Sequence, residues 1–331
     1  MKIYFLIVCL TSISAQKVLA QKNMHAAGNQ QEKTGKYINE LPDFDRSLLL
    51  EATSDTTANV SFGDFDGDGH PDILLVKGRH WPIIDRVLLG DGRGGIRMAY
   101  DLGKAADRSY TGVVADFNGD GFPDIAVSND APDRKLIYLN DGKGNFTVGS
   151  EFGRAKWPTR NVAVADINGD GLPDLILANR GRPGKTSNYI CLNHGKGQFD
   201  ADCIAFAPYP ATTIYPADIN KDGFTDLVVP NRDGGQSYVY LGSSDFAYPD
   251  THRIPFGPAN ATIRMAAVAD FNGDGMPDIV TIDENKGVNI YFGQKDQTFS
   301  AGICLADAKT IPYALAIADL NNDNKTERLD Q

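Results

Sequence analysis

Asp64-Phe-Asp-Gly-Asp-Gly-His-Pro-Asp72 is the stretch on which the reading of the fold turns. Asp64, Asp66 and Asp68 lie two residues apart, so a tight turn can aim their carboxylates at one point, and Asp72 closes the set. Gly69 permits the sharp reversal that a residue with a Cβ would resist. The backbone carbonyl of His70 can supply one more oxygen. A donor set made only of oxygen suits a hard cation that takes about six to eight ligands, which points to Ca2+.

The same offsets return as Asp116, Asn118, Asp120 and Asp124, then as Asp166, Asn168, Asp170 and Asp174. They return again as Asp218, Asn220, Asp222 and Asp226, and as Asp270, Asn272, Asp274 and Asp278. A sixth copy, Asp319, Asn321, Asp323 and Glu327, has Asn324 where the turn glycine stands in the others. Such loops can be plain Asp/Asn/Gly turns whose carboxylates bond their own backbone. Three or four carboxylates converging in one turn repel one another, however, unless a cation sits between them. Five complete copies favour the cation, and the sixth leaves the question open.

The loops account for much of the chain's charge. The 331 residues carry a net charge of −11, with 42% hydrophobic and 23% charged residues. That is enough apolar material for a sizeable core, in one large all-β domain or two smaller ones. Five divalent cations would bring about +10 and leave the particle almost neutral. A sequence-independent grip on nucleic acid or anionic lipid is not expected of so acidic a chain.

Residues 1–20 read as a secretory signal peptide: Lys2, the apolar run Ile3 to Leu10, then small and polar residues to Ala20. The run is too short to span a membrane, no later stretch reaches transmembrane length, and Val8 before Cys9 argues against a lipid anchor. Residues 21–35 are polar and without period, as in a flexible leader. The expected product is exported, to the outside, the periplasm or the cell surface. Beyond the leader the cysteines are Cys191, Cys203 and Cys304. Cys191 and Cys203 flank a turn and could face each other across two strands, as a disulfide or as two buried thiols.

The first aspartates of the six loops, at 64, 116, 166, 218, 270 and 319, are spaced 52, 50, 52, 52 and 49 apart, so one supersecondary unit repeats about every fifty residues. In the third unit Asn161-Val-Ala-Val-Ala runs into the loop and Asp174-Leu-Ile-Leu-Ala-Asn leaves it. Tyr189-Ile-Cys-Leu-Asn makes a third strand, a glycine turn follows, and Phe199 opens a fourth. That turn recurs as Leu89-Gly-Asp-Gly-Arg-Gly-Gly-Ile, Leu139-Asn-Asp-Gly-Lys-Gly-Asn-Phe and, more loosely, Phe292-Gly-Gln-Lys-Asp-Gln-Thr-Phe. With no helical period anywhere, the fold class is all-β: a β-propeller of four-stranded antiparallel blades, which limits exposed sheet edges.

The Asp-x-Asp/Asn-x-Asp-Gly-x-x-Asp loops, the glycine-rich turn and the following Phe resemble the FG-GAP or VCBS repeats of integrin α-subunit propellers and of many bacterial secreted proteins. The resemblance covers about residues 36–327. It implies a calcium-stabilised propeller, commonly seven-bladed, used in adhesion or recognition, and it implies no single activity. The ends depart from the pattern. Phe44 lies twenty residues before Asp64, as Phe146 does before Asp166, so residues 44–53 read as a fourth strand and Tyr37 to Leu41 as a third. Ile311 to Ala318 reads as a first strand. These halves either join as a split blade closing a ring of six or belong to an incomplete seven.

Because strand direction alternates, every cation loop lies on one face of the ring, and the second-to-third and blade-to-blade loops share the other. Loops that vary on a rigid scaffold are where recognition usually resides. Six residues before each loop's first Asp stand Tyr110, Arg160, Thr212, Arg264 and Tyr313, which with Trp157 and Arg79-His80-Trp81 would line or neighbour the channel mouth. Aromatic platforms stack on sugar rings and Arg grips carboxylates, so the expected partners are acidic glycans or proteins. Arg160 and Arg264 could equally pair with neighbouring acids, and Trp157 could cap the core. The five His form no metal-ligand spacing, and the chain has no Gly-x-Ser-x-Gly elbow and no phosphate-cradling loop. The expectation is a non-catalytic binding module. The alternatives are a polysaccharide lyase drawing on His80, Tyr110 and Arg160, and a scaffold that only presents or spaces other proteins.

Overall fold

Short apolar runs punctuated by Asp/Gly turns fold into strands, and no helix occurs among the described residues. The structure is a computed structural model that describes residues 3–6, 48–53, 55–182, 185–199, 201, 203–307 and 313–319. Five four-stranded sheets follow one another, each with its strands antiparallel and paired in chain order. Blade one comprises Thr57–Gly63, Asp72–Lys77, Arg86–Gly90 and Ile96–Asp101. Blade two comprises Ser109–Ala115, Asp124–Asn129, Leu136–Asn140 and Phe146–Glu151, and blade three Thr159–Ala165, Asp174–Asn179, Asn188–Cys191 and Ile204–Phe206. Blade four holds Tyr215–Ala217, Asp226–Val229, Ser237–Tyr240 and Arg253–Phe256, and blade five Ile263–Ala269, Asp278–Asp283, Gly287–Tyr291 and Ile303–Ala306.

The core lies in the seams between blades. The second strands of blades two to five are buried along their whole length, as in Asp174–Asn179, because each is covered on both sides. Leu175 and Leu177 face Ala126 and Ile137 of blade two, while Ile176 and Ala178 face Leu227 and Val229 of blade four. Fourth strands carry one covered face at most: in Phe146–Glu151 only Phe146 and Ser150 are half-buried and the rest are exposed. Apolar burial therefore holds neighbouring blades together, while ladder hydrogen bonds and the turns hold each blade to itself.

Two details differ from the sequence reading. Phe199 makes only an isolated antiparallel bridge to Asn193, and the fourth strand of blade three starts at Ile204. Cys191 and Cys203 form a disulfide, with Cα atoms 4.5 Å apart, and it ties the third strand of that blade to the residue before the short fourth one. Cys304 is exposed and unbonded.

At the ends, residues 48–53 take no strand pairing, and residues 36–47, where the rest of a closing blade was expected, lie outside the described residues. Ala316–Asp319 supplies the first strand of a sixth unit and covers blade five through Leu315 and Ile317. Its partner is Ile3–Leu6, antiparallel, with Ile3 opposite Asp319 and Leu6 opposite Ala316. These four residues fall within the run that the sequence reading expects to be removed as a signal peptide.

Candidate functional site

Each cation loop is held by a repeated set of hydrogen bonds. The carboxylate of the first aspartate accepts the backbone N–H of the residue five further on, from Gly69 to Asp64 at 2.9 Å, Gly121 to Asp116 at 2.8 Å and Gly171 to Asp166 at 2.9 Å. Gly223 to Asp218 at 3.0 Å and Gly275 to Asp270 at 2.9 Å complete the series. These glycines have φ between 81° and 90°, the left-handed region that a side chain would strain. The fifth-position carboxylate then accepts the N–H two residues on, as His70 gives to Asp68 and Phe122 to Asp120, both at 2.9 Å. The amide of His70 thus serves the loop, while its carbonyl is the part expected to serve a cation.

The ninth-position aspartates Asp72, Asp124, Asp174, Asp226 and Asp278 are fully buried. Sequence spacing marks them as ligands, and the structure gives each a second task. One oxygen accepts an N–H from the loop and the other an N–H at the end of the third strand: Phe65 and Gly90 on Asp72, both at 2.7 Å, and Ile167 and Asn193 on Asp174, at 2.9 and 2.8 Å. This clamp joins three strands of a blade at one carboxylate.

The loops fit a hard cation. Asp64, Asp66 and Asp72 each bring an oxygen within 4.8 Å of the others, and Asp64 Oδ1 is buried with no hydrogen-bond partner. Burial, partly offset by the backbone N–H groups, pushes Asp124, Asp226 and Asp278 up to about 6. The charges of Asp120, Asp222 and Asp274 add to the rise. A nearby divalent ion would reverse that cost, since it favours the ionised form. Asn321, Asp323 and Glu327 of the sixth copy lie outside the described residues, and Asp319 ends the last strand.

On the opposite face the expected mouth residues have a common structural origin. The first strand of each of four blades carries a β-bulge, and the residue left out of the ladder is Ala58, Tyr110, Arg160 or Arg264. A bulge frees one side chain from the alternation of the sheet and re-aims it. Arg160 lies over the Tyr110 ring at 4.2 Å and pairs with Asp130 at 2.6 Å. Tyr110 Oη is 3.1 Å from His80 Nδ1. Arg264 lies over Tyr313 at 4.2 Å and pairs with Glu284. Arg79 bridges the two groups, 5.8 Å from the Tyr110 ring and 5.1 Å from that of Tyr313, so blade one meets the sixth unit at the mouth. Thr212 Oγ1 and Arg264 Nε are buried there without hydrogen-bond partners. Burial, then the Arg160 and Arg79 charges, push His80 below its ordinary pKa against the Asp130 charge, which favours its neutral form.

Trp81 is exposed and touches His80 edge-on, whereas Trp157 stacks on Tyr189 at 3.7 Å, away from the Arg and Tyr belt. Of the expected residues, the structure brings Tyr110, Arg160, Arg264 and Tyr313 together and sets Trp157 apart. The acids Asp130 and Glu284, and Arg180 and Arg232 beside them, were not anticipated. All four stand six residues after the ninth-position aspartate, a register that the repeat itself would have revealed. Arg180 pairs with Asp233 and Arg232 with Glu284, so this register forms an ionic rim across blades three to five.

With that geometry in view, comparison with known proteins places the chain. FG-GAP-like repeats match residues 116–177, 166–229, 218–281 and 270–329. These matches span more than half of the sequence, and the chain belongs to the FG-GAP-like repeat family. Among solved structures it is similar to BBS1N in complex with ARL6DN, at 14% identity and a TM-score of 0.51, over 76% of this chain and 70% of that one. It is also similar to the V. cholerae biofilm matrix protein Bap1, at 21% identity and a TM-score of 0.47, over 76% of this chain and 40% of that one. A third is a Bacillus licheniformis rhamnogalacturonan lyase, at 17% identity and a TM-score of 0.47, over 75% of this chain and 51% of that one. No curated protein matches the chain. These likenesses concern the propeller fold.

Proposed function

We propose that this protein is a secreted, Ca2+-stabilised recognition module that binds acidic glycan or protein ligands on the face opposite its cation loops. The observation that carries the reading is the bulge register: four blades spend a ladder position at the same point, and three of them present Tyr or Arg there. Such a bulge takes the side chain out of the alternation of the sheet and leaves it free to face a ligand. Arg offers a planar fork that matches a carboxylate, and Tyr a face for a sugar ring. Ca2+ in loops whose donors are all protein oxygens has few open positions, which suits a structural role better than Lewis-acid chemistry. Export is supported by the leader-like run Ile3 to Leu10 and by the Cys191–Cys203 disulfide, a bond typical of oxidising compartments. No helix among the described residues is long and apolar enough to cross a membrane.

The test is a glycan array in calcium buffer, run beside Tyr110→Ala/Arg160→Ala. Binding that falls at least tenfold in the double variant supports the reading, and equal binding by both proteins defeats it. One observation favours a second reading, a lyase: neutral His80 on the Tyr110 hydroxyl, with Arg160 on the same ring, resembles a proton-abstracting group beside a carboxylate anchor. New unsaturated ends, seen by ultraviolet absorbance on incubation with uronic-acid polysaccharide, would select it over simple binding.

A further inference from the structure

A cleft whose lining includes none of the mouth Arg and Tyr residues belongs to blade three. Its volume is about 510 Å³. Arg154, Lys156 and Trp157 come from the connection into the blade, Lys185 from its second-to-third loop, and Tyr189 from its third strand. Among the described residues that line it, three are cationic and none is acidic, in a chain of net charge −11. A fourth cation lies behind the wall. Lys135 is buried and donates from Nζ to the carbonyls of Arg154 at 3.1 Å and Trp157 at 3.0 Å, which fixes the connection in place.

The far wall is equally rigid. Asn179 accepts from Thr159 Oγ1 at 2.7 Å and donates to the Ser187 carbonyl at 2.9 Å, and the Trp157 and Tyr189 rings lie 9° from parallel. We infer that this cleft is an anionic-sugar subsite, in which Lys156 and Lys185 hold a uronate carboxylate and the Trp157–Tyr189 stack forms the wall against which the ring lies. A concave space of this size matches small-ligand cavities, whereas protein partners meet broad, flat surfaces. Polar side chains next to the aromatic wall, Ser187 and Thr186, suit the hydroxyls of a sugar. The inference rests on the recognition reading and assigns it a second contact point.

Isothermal titration with oligogalacturonate tests it, with a sulfated dextran oligomer and a neutral dextrin of similar length as separate arms. The variant is Lys156→Glu/Lys185→Glu; both side chains are exposed, and a thermal melt confirms that the fold is kept. Oligogalacturonate is expected to bind, to lose at least tenfold in affinity in the double variant and to weaken as salt rises, while dextrin does not bind. Binding of the sulfated oligomer alone, or equal affinity in both proteins, overturns the assignment. If Arg79→Ala/Arg264→Ala abolishes oligogalacturonate binding and the lysine variant leaves it intact, recognition at the mouth stands and the cleft does not take part.

Discussion

The two faces of the propeller are built under opposite rules. On the cation-loop face the same hydrogen bonds recur in five blades, with the glycine-to-aspartate contact held between 2.8 and 3.0 Å. On the other face one register, six residues after the ninth-position aspartate, holds Gly78, Asp130, Arg180, Arg232 and Glu284 in turn. Repetition marks what every blade needs in order to fold. Divergence at a fixed register, on an equally rigid frame, marks positions released from that need. If the loops are the structural half, then damage there should unfold the protein, and damage on the other face should leave it folded.

The largest effect should come from withdrawing the cations. In excess chelator the melting temperature is expected to fall by about 10 °C or more, because each ion bound only to the folded state adds roughly 2.7 kcal/mol when its free concentration is a hundredfold above its Kd. A melting curve that does not move would remove the distinction between the faces. Next in size is the buried clamp. Asp174→Ala strands the N–H groups of Ile167 and Asn193, at a cost of about 3–5 kcal/mol, whereas Asp170→Ala in the same loop, in chelator, should cost about 1 kcal/mol or less. Denaturant unfolding of the pair, without calcium, measures the clamp apart from any ion.

On the variable face Asp85 and Lys135 immediately precede the third strands of blades one and two, and Asn188 and Ser237 open those of blades three and four. Burial pushes Asp85 up to about 7, against the N–H of Lys77 and the hydroxyl of Ser109, which favour the anion; Asp107 repels it and Lys77 attracts it. The sign follows from linkage. The unfolded chain releases this proton near pH 4 and the folded one near 7, so folding takes up a proton between those values and stability falls as pH rises through that window. Asp85→Asn copies Asn188, whose Oδ1 accepts the Asn179 N–H at 2.9 Å as Asp85 Oδ1 accepts that of Lys77 at 2.7 Å. The variant should gain about 1–4 kcal/mol above pH 7 and gain nothing at pH 4. An unchanged pH profile would mean that the wild-type carboxyl is ionised without penalty.

How much of this was legible in the sequence follows the same division. Loops and blade order could be read because they repeat in register, and the mouth positions because they keep a fixed offset from a loop. The bulges at Tyr110, Arg160 and Arg264 could not be read, since a one-residue slip in pairing leaves no mark on composition. The partners Asp130 and Glu284 keep a fixed offset from the ninth-position aspartate and were legible in the repeat, but spacing does not say which arginine each would meet. A buried aspartate that clamps backbone and one that binds an ion occupy the same place in the motif, so spacing alone could not separate the two roles of Asp174. The pairing of Cys191 with Cys203 stayed open until the third and fourth strands of that blade were placed.

The smallest expected effect is also the sharpest comparison, because it lies within the repeated face. In loops two to five the third position is Asn, and its amide donates to the fifth-position carboxylate: Asn118 to Asp120 at 2.8 Å, Asn168 to Asp170 at 2.9 Å, Asn220 to Asp222 at 2.8 Å and Asn272 to Asp274 at 3.0 Å. Loop one has Asp66 there, which cannot donate and adds a fourth carboxylate. Arg97, from the outer strand of the same blade, makes good both losses. Its guanidinium pairs with Asp66 and lies 3.5 Å from Asp68, while its Nε donates to the Gly90 carbonyl at 3.0 Å. The loop thereby returns to the net charge of its siblings. Arg97→Ala should therefore leave overall stability within about 1 kcal/mol in calcium, since the pair is partly exposed. It should also tighten one of the bound ions several-fold, because a competing positive charge has gone. Asp66→Asn added to Arg97→Ala rebuilds the pattern of the other four loops and should bring that ion's affinity back toward theirs. A calcium titration in which the single and double variants are indistinguishable would show that Arg97 does not compensate Asp66.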